Sequence, residues 1–423
     1  MAGTMSPLME QINNGNWLPQ QEAESLRDEF YYQNAVQAYV LTIPILNTIG
    51  LRDGSEDAFG KNVIGMFTDF YQRTITDVGA VGPDGAKGGL YLLLPPDYKQ
   101  DVPKVYFAFK SSTNNVFLFF RTIMPPGDDG PEPAPAVANA EETRIYPLWA
   151  SEKDVKPMEF PNGSGKHINM MYPTDNSYWT KLKAFVDYEP VESIDPVTRG
   201  ILASVGIIKG FPFEPNDKQN AALQRAVEAS PRMILAGRQL GWPDKRDLYY
   251  KDRQYLNTWA GATAEWMQDS YLDVIQRASY FQVAYSSSPA MVMRTIDLGS
   301  KYPFATRDAN GEFLDGSNSY KLHLPPQPPA AQFWAVTAYN ITDGTMTAAE
   351  QFMPSVNALD KVDTNSDGSV DLYFGPSQPA GAPDSNWIQT VDGLHFLATV
   401  RLYGAGVEFF DQTWKPDDLV KLE

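Results

Sequence analysis

The chain has 423 residues and a formal net charge of −18, with 43% hydrophobic residues, 13% aromatic residues, 33 prolines and no cysteine. That length allows two or three domains with cores of their own, and the acidity argues against nucleic acid or an anionic membrane as partner, because both are polyanions. The absence of cysteine excludes disulfides, thiolate metal sites, iron–sulfur clusters and cysteine nucleophiles together.

Residues 1–61 read as an N-terminal helical segment. The opening, Met1 to Asn16, has no basic stretch followed by an apolar core, so no signal peptide is expected. No unbroken apolar run approaches the roughly 20 residues of a membrane span. A helix is expected over 20–50, with Ser25 as cap, Leu26, Phe30, Ala35, Val36, Tyr39 and Val40 near helical spacing, and an end by Pro44. Residues 62–150 read as a first β domain: Val63–Phe67, Phe70–Val78, Leu90–Leu94, Val105–Phe109 and Val116–Phe120 are strand-like runs separated by Gly- and Pro-rich turns. Residues 151–285 read as a mostly helical connector. Its helices start at Asp195-Pro196, run over 217–240 with Asp217 as cap and Ala221, Leu223, Ala226 and Val227 inward, and cover Asp269–Tyr285.

Residues 286–423 read as a second β domain. Period-two alternation runs through Tyr320–Pro326, Gln332–Asn340, Asn365–Gly375 and Phe396–Tyr403, bounded by Pro, Gly, Asn and Asp. Short strands at such spacing indicate a β-sandwich or barrel. The expected fold is therefore mainly β with a helical connector.

Three clusters carry a resemblance. One is Asp77-Val-Gly79, Gly82-Pro-Asp84, Gly88-Gly89, Tyr91–Pro96 and Arg121. The second is Gly206–Pro215, and the third is Phe333-Trp334, Tyr339, Asn365–Ser369, Asn386-Trp387, Arg401–Tyr403 and Asp411–Pro416. In this order they resemble the bacterial domain-of-unknown-function 1254 and 1214 proteins. The resemblance implies two β-sandwiches of jelly-roll type joined by a helical linker, and export to the periplasm or beyond the cell; it implies no reaction. Similar sequences carry several tens of residues between the first helix and the strand near Val63, whereas here Gly60-Lys61 runs directly into Asn62-Val63.

No nucleotide-binding loop and no serine-nucleophile elbow occurs in the sequence. With 52 acidic residues, a glycosidase-like carboxylate pair cannot be chosen from sequence. Asp363, Asn365 and Asp367, with Gly368 and then Asp371, match the opening of a calcium loop, but the twelfth position is Phe374 rather than a glutamate. A tight hairpin turn is the alternative reading of that stretch. The Asp308–Asp315 stretch is a weaker calcium match of the same kind. His167, His323 and His395 have no metal-pair spacing and read as structural, His323 being the one to mutate first.

What remains is a set of amphipathic groups in strands: Arg73, Tyr91, Arg121, Trp334, Tyr339, Trp387, Arg401 and Tyr403. An arginine inside an apolar strand, such as Arg401, needs its guanidinium paired or facing water; a carboxylate brace across the sandwich is one reading and a ligand-binding pocket the other. The two readings give different proteins. In one, Arg401 and its kind are braces, and replacing Trp334 or Arg401 by Ala destabilises the fold. In the other, with His323 added, these residues line a cleft for a small organic or carbohydrate-like molecule. A carboxylate-dependent hydrolase, with or without a divalent cation, and a structural assembly protein that self-associates are the rival functions.

Overall fold

The computed structural model describes residues 11, 15, 17–59, 67–79, 82–120, 122, 126–127, 130–150, 155, 158–163, 166, 168–241, 247–259, 263–285, 287–347, 349–351 and 353–422. Arg121, His167 and the Lys61–Asn62 junction lie outside the described residues. The expectation of a mainly β protein is corrected: the structure is mixed, 31% helical and 19% strand. The chain forms two compact units, residues 1–42 with 173–233, and residues 43–172 with 234–423.

The first unit is helical. It contains the first half of the Gln20–Phe59 helix, the Ser177–Tyr188 and Pro196–Ser204 helices, and most of the Asp217–Leu240 helix. The Tyr39 and Tyr178 rings stack with centroids 4.5 Å apart. Two buried donors there meet backbone carbonyls: Tyr178 donates its hydroxyl to the Tyr39 carbonyl at 3.1 Å, and the Trp179 indole donates to the Leu223 carbonyl at 3.2 Å. Asp195 caps its helix as expected, accepting from the Val197 and Thr198 amides at 3.0 Å each. The cap of the Asp217–Leu240 helix is instead Asn216. Its side-chain Oδ1 accepts from the Gln219 amide N–H at 3.0 Å, and the Gln219 Oε1 accepts from the Asn216 amide N–H at 2.9 Å, a capping box. Leu26, Phe30 and Ala221, expected inside, are exposed.

Pro44 does not end the first helix, which continues to Phe59. A proline inside a helix costs about 3 kcal/mol. Ile43, Ile45, Leu46, Ile49 and Leu51 are all buried around it, and each such side chain contributes about 1.5–3 kcal/mol. Burial wins. By length and composition the Gln20–Ser55 stretch is also apolar enough to cross a membrane, which unbroken apolar runs did not reveal; 78% of its apolar window is buried inside the protein, as in a core helix.

In the second unit, the region expected to form a first sandwich builds only small sheets. Thr74–Thr76, Phe67–Asp69 and Val116–Phe117 form an antiparallel three-stranded sheet, and Tyr91–Leu94 pairs in parallel with Phe107–Lys110. The C-terminal region is larger. A six-stranded antiparallel sheet runs Ser355–Asn357, Ala330–Asn340, Phe396–Ala405, Phe304–Ala305, Tyr255–Leu256, with Ser300–Lys301 also on the Phe396–Ala405 strand. A four-stranded sheet runs Trp387–Gln389, Val370–Gly375, Tyr320–Leu324, Val420–Lys421.

One buried core joins these two sheets: Leu322, Leu324, Leu372 and Phe374 from one side, Trp334, Val336, Val400 and Leu402 from the other. Strand periodicity then fixes what lies on the opposite faces. Trp334 pairs with Leu402 toward the core, so Ala335 and Arg401, also paired, face away from it, as do Phe333 and Tyr403. The Asp269–Tyr285 helix is shorter than expected, Val274–Val283, because Met267 and Leu272 bridge in a tight turn and Asp273 caps the helix start.

Candidate functional site

The outward face of the six-stranded sheet gathers three of the sequence-selected residues, Tyr339, Arg401 and Tyr403. Arg401 and Tyr403 share that face because they are two apart in one strand, and register brings Tyr339 to the neighbouring strand. The Arg401 guanidinium lies over two rings, Tyr403 at 5.3 Å and Tyr302 at 5.7 Å, while Tyr403 stacks on Phe333 with centroids 4.1 Å apart. Its Nη2 donates to the Tyr403 hydroxyl. Burial raises the Tyr339 phenol above its ordinary value, against the pull of the Arg401 charge.

Among the described residues, no carboxylate lies within ion-pair distance of Arg401. Among the described residues its Nε and Nη1 have no hydrogen-bond acceptor, and neither is among the fully buried unpartnered atoms. Ala335, directly opposite in register, leaves no long side chain beside the guanidinium. The brace reading of Arg401 is therefore not what the fold builds. Nor is Arg401 a core residue; Trp334 is.

The other selected residues are dispersed. Arg73 is a brace: its Nε meets the buried Asp69 carboxylate at 2.6 Å and its Nη2 donates to Ser112 at 2.8 Å. Tyr91 donates its hydroxyl to Asp84 and packs on Phe107 and Phe109. The Asp84 carboxyl stays below its ordinary value, since hydrogen bonds from Tyr91, Gly79 and Gly88 outweigh the upward push of burial. Trp387, on an edge strand of the four-stranded sheet, donates its indole N–H to the Gly375 carbonyl at 3.2 Å.

His323 lies on the outer face of the four-stranded sheet, its Nδ1 2.7 Å from Asp371 Oδ1, while Lys321 holds the other Asp371 oxygen at 2.8 Å. Burial pushes the Asp371 carboxyl up, but the bonds from Lys321, His323 and Asn365 outweigh it and leave the carboxyl below its usual range.

That pairing bears on calcium. Asp371 is engaged by two basic side chains, Asp367 Oδ1 accepts from the Ser369 amide and hydroxyl at 3.0 and 2.6 Å, and Asn365 donates to Ser369 at 2.9 Å. Asp363 is tied through its backbone to Asn386. Six to eight oxygens converging on one point are what calcium asks for. Among the described residues, no group of three or more His, Asp or Glu could hold a metal ion. The residues do not fit the ion. The stretch is a turn closed by the Asn365 amide on the Ser369 carbonyl at 2.9 Å, with Gly368 at φ 83°. It is not a hairpin either, because the strand before it, Ser355–Asn357, belongs to the other sheet. Asp308 likewise spends its Oδ1 on the Asn310 and Glu312 amides.

Sequence reasoning missed one feature. An open cleft of about 590 Å³ is lined by Arg253, Pro325, Pro326, Gln327, Glu408, Thr413, Trp414, Lys415 and Asp417. Trp414 and Lys415 lie in the Asp411–Pro416 run already singled out, but Arg253 and Gln327 carry no local signal. Burial raises the nearby Asp418 carboxyl, with Asp417 and Asp252 adding to it, yet Asp418 does not line the cleft.

Comparison with known proteins gives no reaction. Residues 57–147 match the family described as protein of unknown function (DUF1254), and residues 299–407 match protein of unknown function (DUF1214). No curated protein matches the chain. Among solved structures, it is similar to the VPA0106 protein from Vibrio parahaemolyticus, at 15% identity over 93% of this chain and 100% of that one, with a TM-score of 0.49. It is also similar to an uncharacterized protein from Burkholderia cenocepacia, at 15% identity over 45% of this chain and 52% of that one, with a TM-score of 0.21. The chain thus carries a DUF1254-type region followed by a DUF1214-type region, two domains of unknown function.

Proposed function

We propose that this protein binds a small carboxylate-bearing organic molecule at the Arg401 corner of its C-terminal β region, whose two core-sharing sheets we read as a β-sandwich. One observation supports the reading: in a chain with a net charge of −18, the half-buried Arg401 has two donor nitrogens without an acceptor, and no carboxylate partner, among the described residues. A guanidinium offers five donors in a fixed fork that matches a carboxylate bidentately. Here one Nη2 hydrogen goes to the Tyr403 hydroxyl, and the second Nη2 hydrogen leaves one two-donor edge, shared with either Nε or Nη1, for a carboxylate. The Tyr302 and Tyr403 rings supply flat apolar surface for the carbon frame of such a ligand.

The test is a thermal-shift screen of the wild type and R401K with acetate, benzoate and succinate at constant ionic strength. A ligand at 100 times its Kd adds about 2.7 kcal/mol of stability. Lysine keeps the charge but loses the bidentate edge, so R401K should bind the same carboxylate about tenfold more weakly. Equal shifts in the two proteins, or no shift with any carboxylate, would remove the reading.

A further inference from the structure

The 590 Å³ cleft differs in chemistry from the Arg401 corner and shares no lining residue with it. Its cations are already neutralised. Arg253 donates Nε to the Pro416 carbonyl at 3.3 Å, Nη1 to Asp252 at 3.1 Å and Nη2 to Asp417 at 3.4 Å, and Lys415 meets Asp252 at 2.9 Å. Glu408 adds a further negative charge to the wall, so the cleft offers an acidic ligand no free cation. What it offers is one donor-bearing amide, Gln327, among acceptors: the Glu408 and Asp417 carboxylates and the Thr413 hydroxyl oxygen, whose proton goes to Asp411 at 2.7 Å. The Pro325 and Pro326 rings and the edge of Trp414 form its apolar wall. The volume falls in the roughly 300–1,000 Å³ range of small-molecule sites.

Gln327 adds an independent sign. Its backbone sits at φ 56°, the left-handed region where a side chain costs about 1–3 kcal/mol and glycine would be relaxed. Among the described residues its side-chain amide has no hydrogen-bond partner, so no hydrogen bond of that amide within the described fold offsets the strain. A glutamine held there by a wall of prolines, with its amide at a cleft, is what a site that needs the amide would keep.

We propose that this cleft is a second binding site, for a neutral polyhydroxylated molecule of the saccharide class. Hydroxyls can donate to the Glu408, Asp417 and Thr413 oxygens and accept from the Gln327 amide, the C–H face of the ring fits the Pro325 and Pro326 surface, and no net charge is required. The inference does not depend on Arg401.

The experiment is calorimetric titration of the full chain with D-glucose, cellobiose and maltotriose, repeated with Q327G and R401K. At least one saccharide should bind, with an affinity that changes little between low and high salt because no ion pair forms. Q327G should weaken binding about tenfold or more, while its thermal midpoint stays equal to the parent's or rises, since glycine relaxes the backbone. R401K should leave saccharide binding unchanged. Failure of all three sugars at about 20 mM, undiminished binding in Q327G, or a lowered midpoint in Q327G would each overturn the proposal. The last result would make Gln327 a structural residue. Loss of saccharide binding in R401K would overturn the independence of the two sites.

Discussion

Replacing Arg401 by Gln separates the two accounts of this residue by stability alone. Were Arg401 one half of a buried ion pair, removing it would strand a carboxylate and cost about 3–5 kcal/mol. The structure predicts much less. R401Q loses one hydrogen bond from a charged donor to the Tyr403 hydroxyl, worth about 1.5–3 kcal/mol. It also loses two ring contacts at 5.3 and 5.7 Å, worth about 0.5–1 kcal/mol each at partly exposed sites. Against this stands the relief of a half-buried charge with no counter-ion, a penalty of several kcal/mol for a fully buried one and a fraction of that here. At the low end of both ranges, with that relief subtracted, the net loss is about 1 kcal/mol. In domains of 150–250 residues that amounts to about 2–4 °C in thermal midpoint. Differential scanning calorimetry at fixed protein concentration and pH 7 reads it directly. W334A is the internal control: its indole fills the core between the two sheets, and truncation should cost about 3–5 kcal/mol. If R401Q falls as far as W334A, a counter-charge holds Arg401 and the binding reading fails.

Three further outcomes follow from the geometry. Asp69 is buried and accepts from the Tyr71 and Arg73 amides at 2.9 Å each, Arg73 Nε at 2.6 Å and Ser112 at 2.6 Å, so D69A should cost about 3–5 kcal/mol in denaturant unfolding. R73A, which removes the largely exposed partner and leaves the other donors, should cost about 1 kcal/mol; equal losses would mean that the ion pair, not the carboxylate's cage, matters. Lys301 is buried, donates to the Met291 carbonyl at 2.9 Å, and burial with the nearby Arg294 charge brings its ammonium down to about 8. Its folded value is below the unfolded one, so the unfolded chain binds more protons between about pH 8 and 10.4, and stability attributable to Lys301 rises with pH across that window. The wild-type midpoint should therefore climb relative to K301M from pH 8 to 10, and a flat difference would contradict the burial of that amine. Finally, about 1 mM Ca²⁺, which saturates sensor-type sites, should leave the midpoint unchanged, because Asp371 and Asp367 are already engaged by Lys321, His323 and Ser369; a clear rise would reinstate the Asp363 loop as a metal site.

How much was legible depended on whether the deciding contact was local. Tyr320–Leu324 alternates buried and half-buried residues as its sequence alternates, and the Asp195-Pro196 start carries its own cap. The continuation past Pro44 was not legible, since it rests on tertiary burial of Ile43, Ile45, Leu46 and Ile49 rather than on propensity. Nor was the weakness of the N-terminal strands, because runs such as Phe70–Val78 read as strand while only Thr74–Thr76 finds a partner. At the candidate site, Arg401 and Tyr403 could be assigned to one face from their spacing. Whether a carboxylate would meet that face depends on strand register and on Tyr302 arriving from elsewhere. The cleft draws on residues near 253, 327, 408 and 414, and no periodicity links such distant segments.

The most direct measurement is a calorimetric titration of the wild-type protein with benzoate and, under identical conditions, with benzamide, its uncharged isostere. The account predicts that benzoate binds with an affinity that weakens as salt is raised, and that benzamide, unable to accept both guanidinium bonds as a carboxylate, binds at least about tenfold more weakly. Equal affinity for the two, or no heat from either, would contradict a carboxylate site at Arg401.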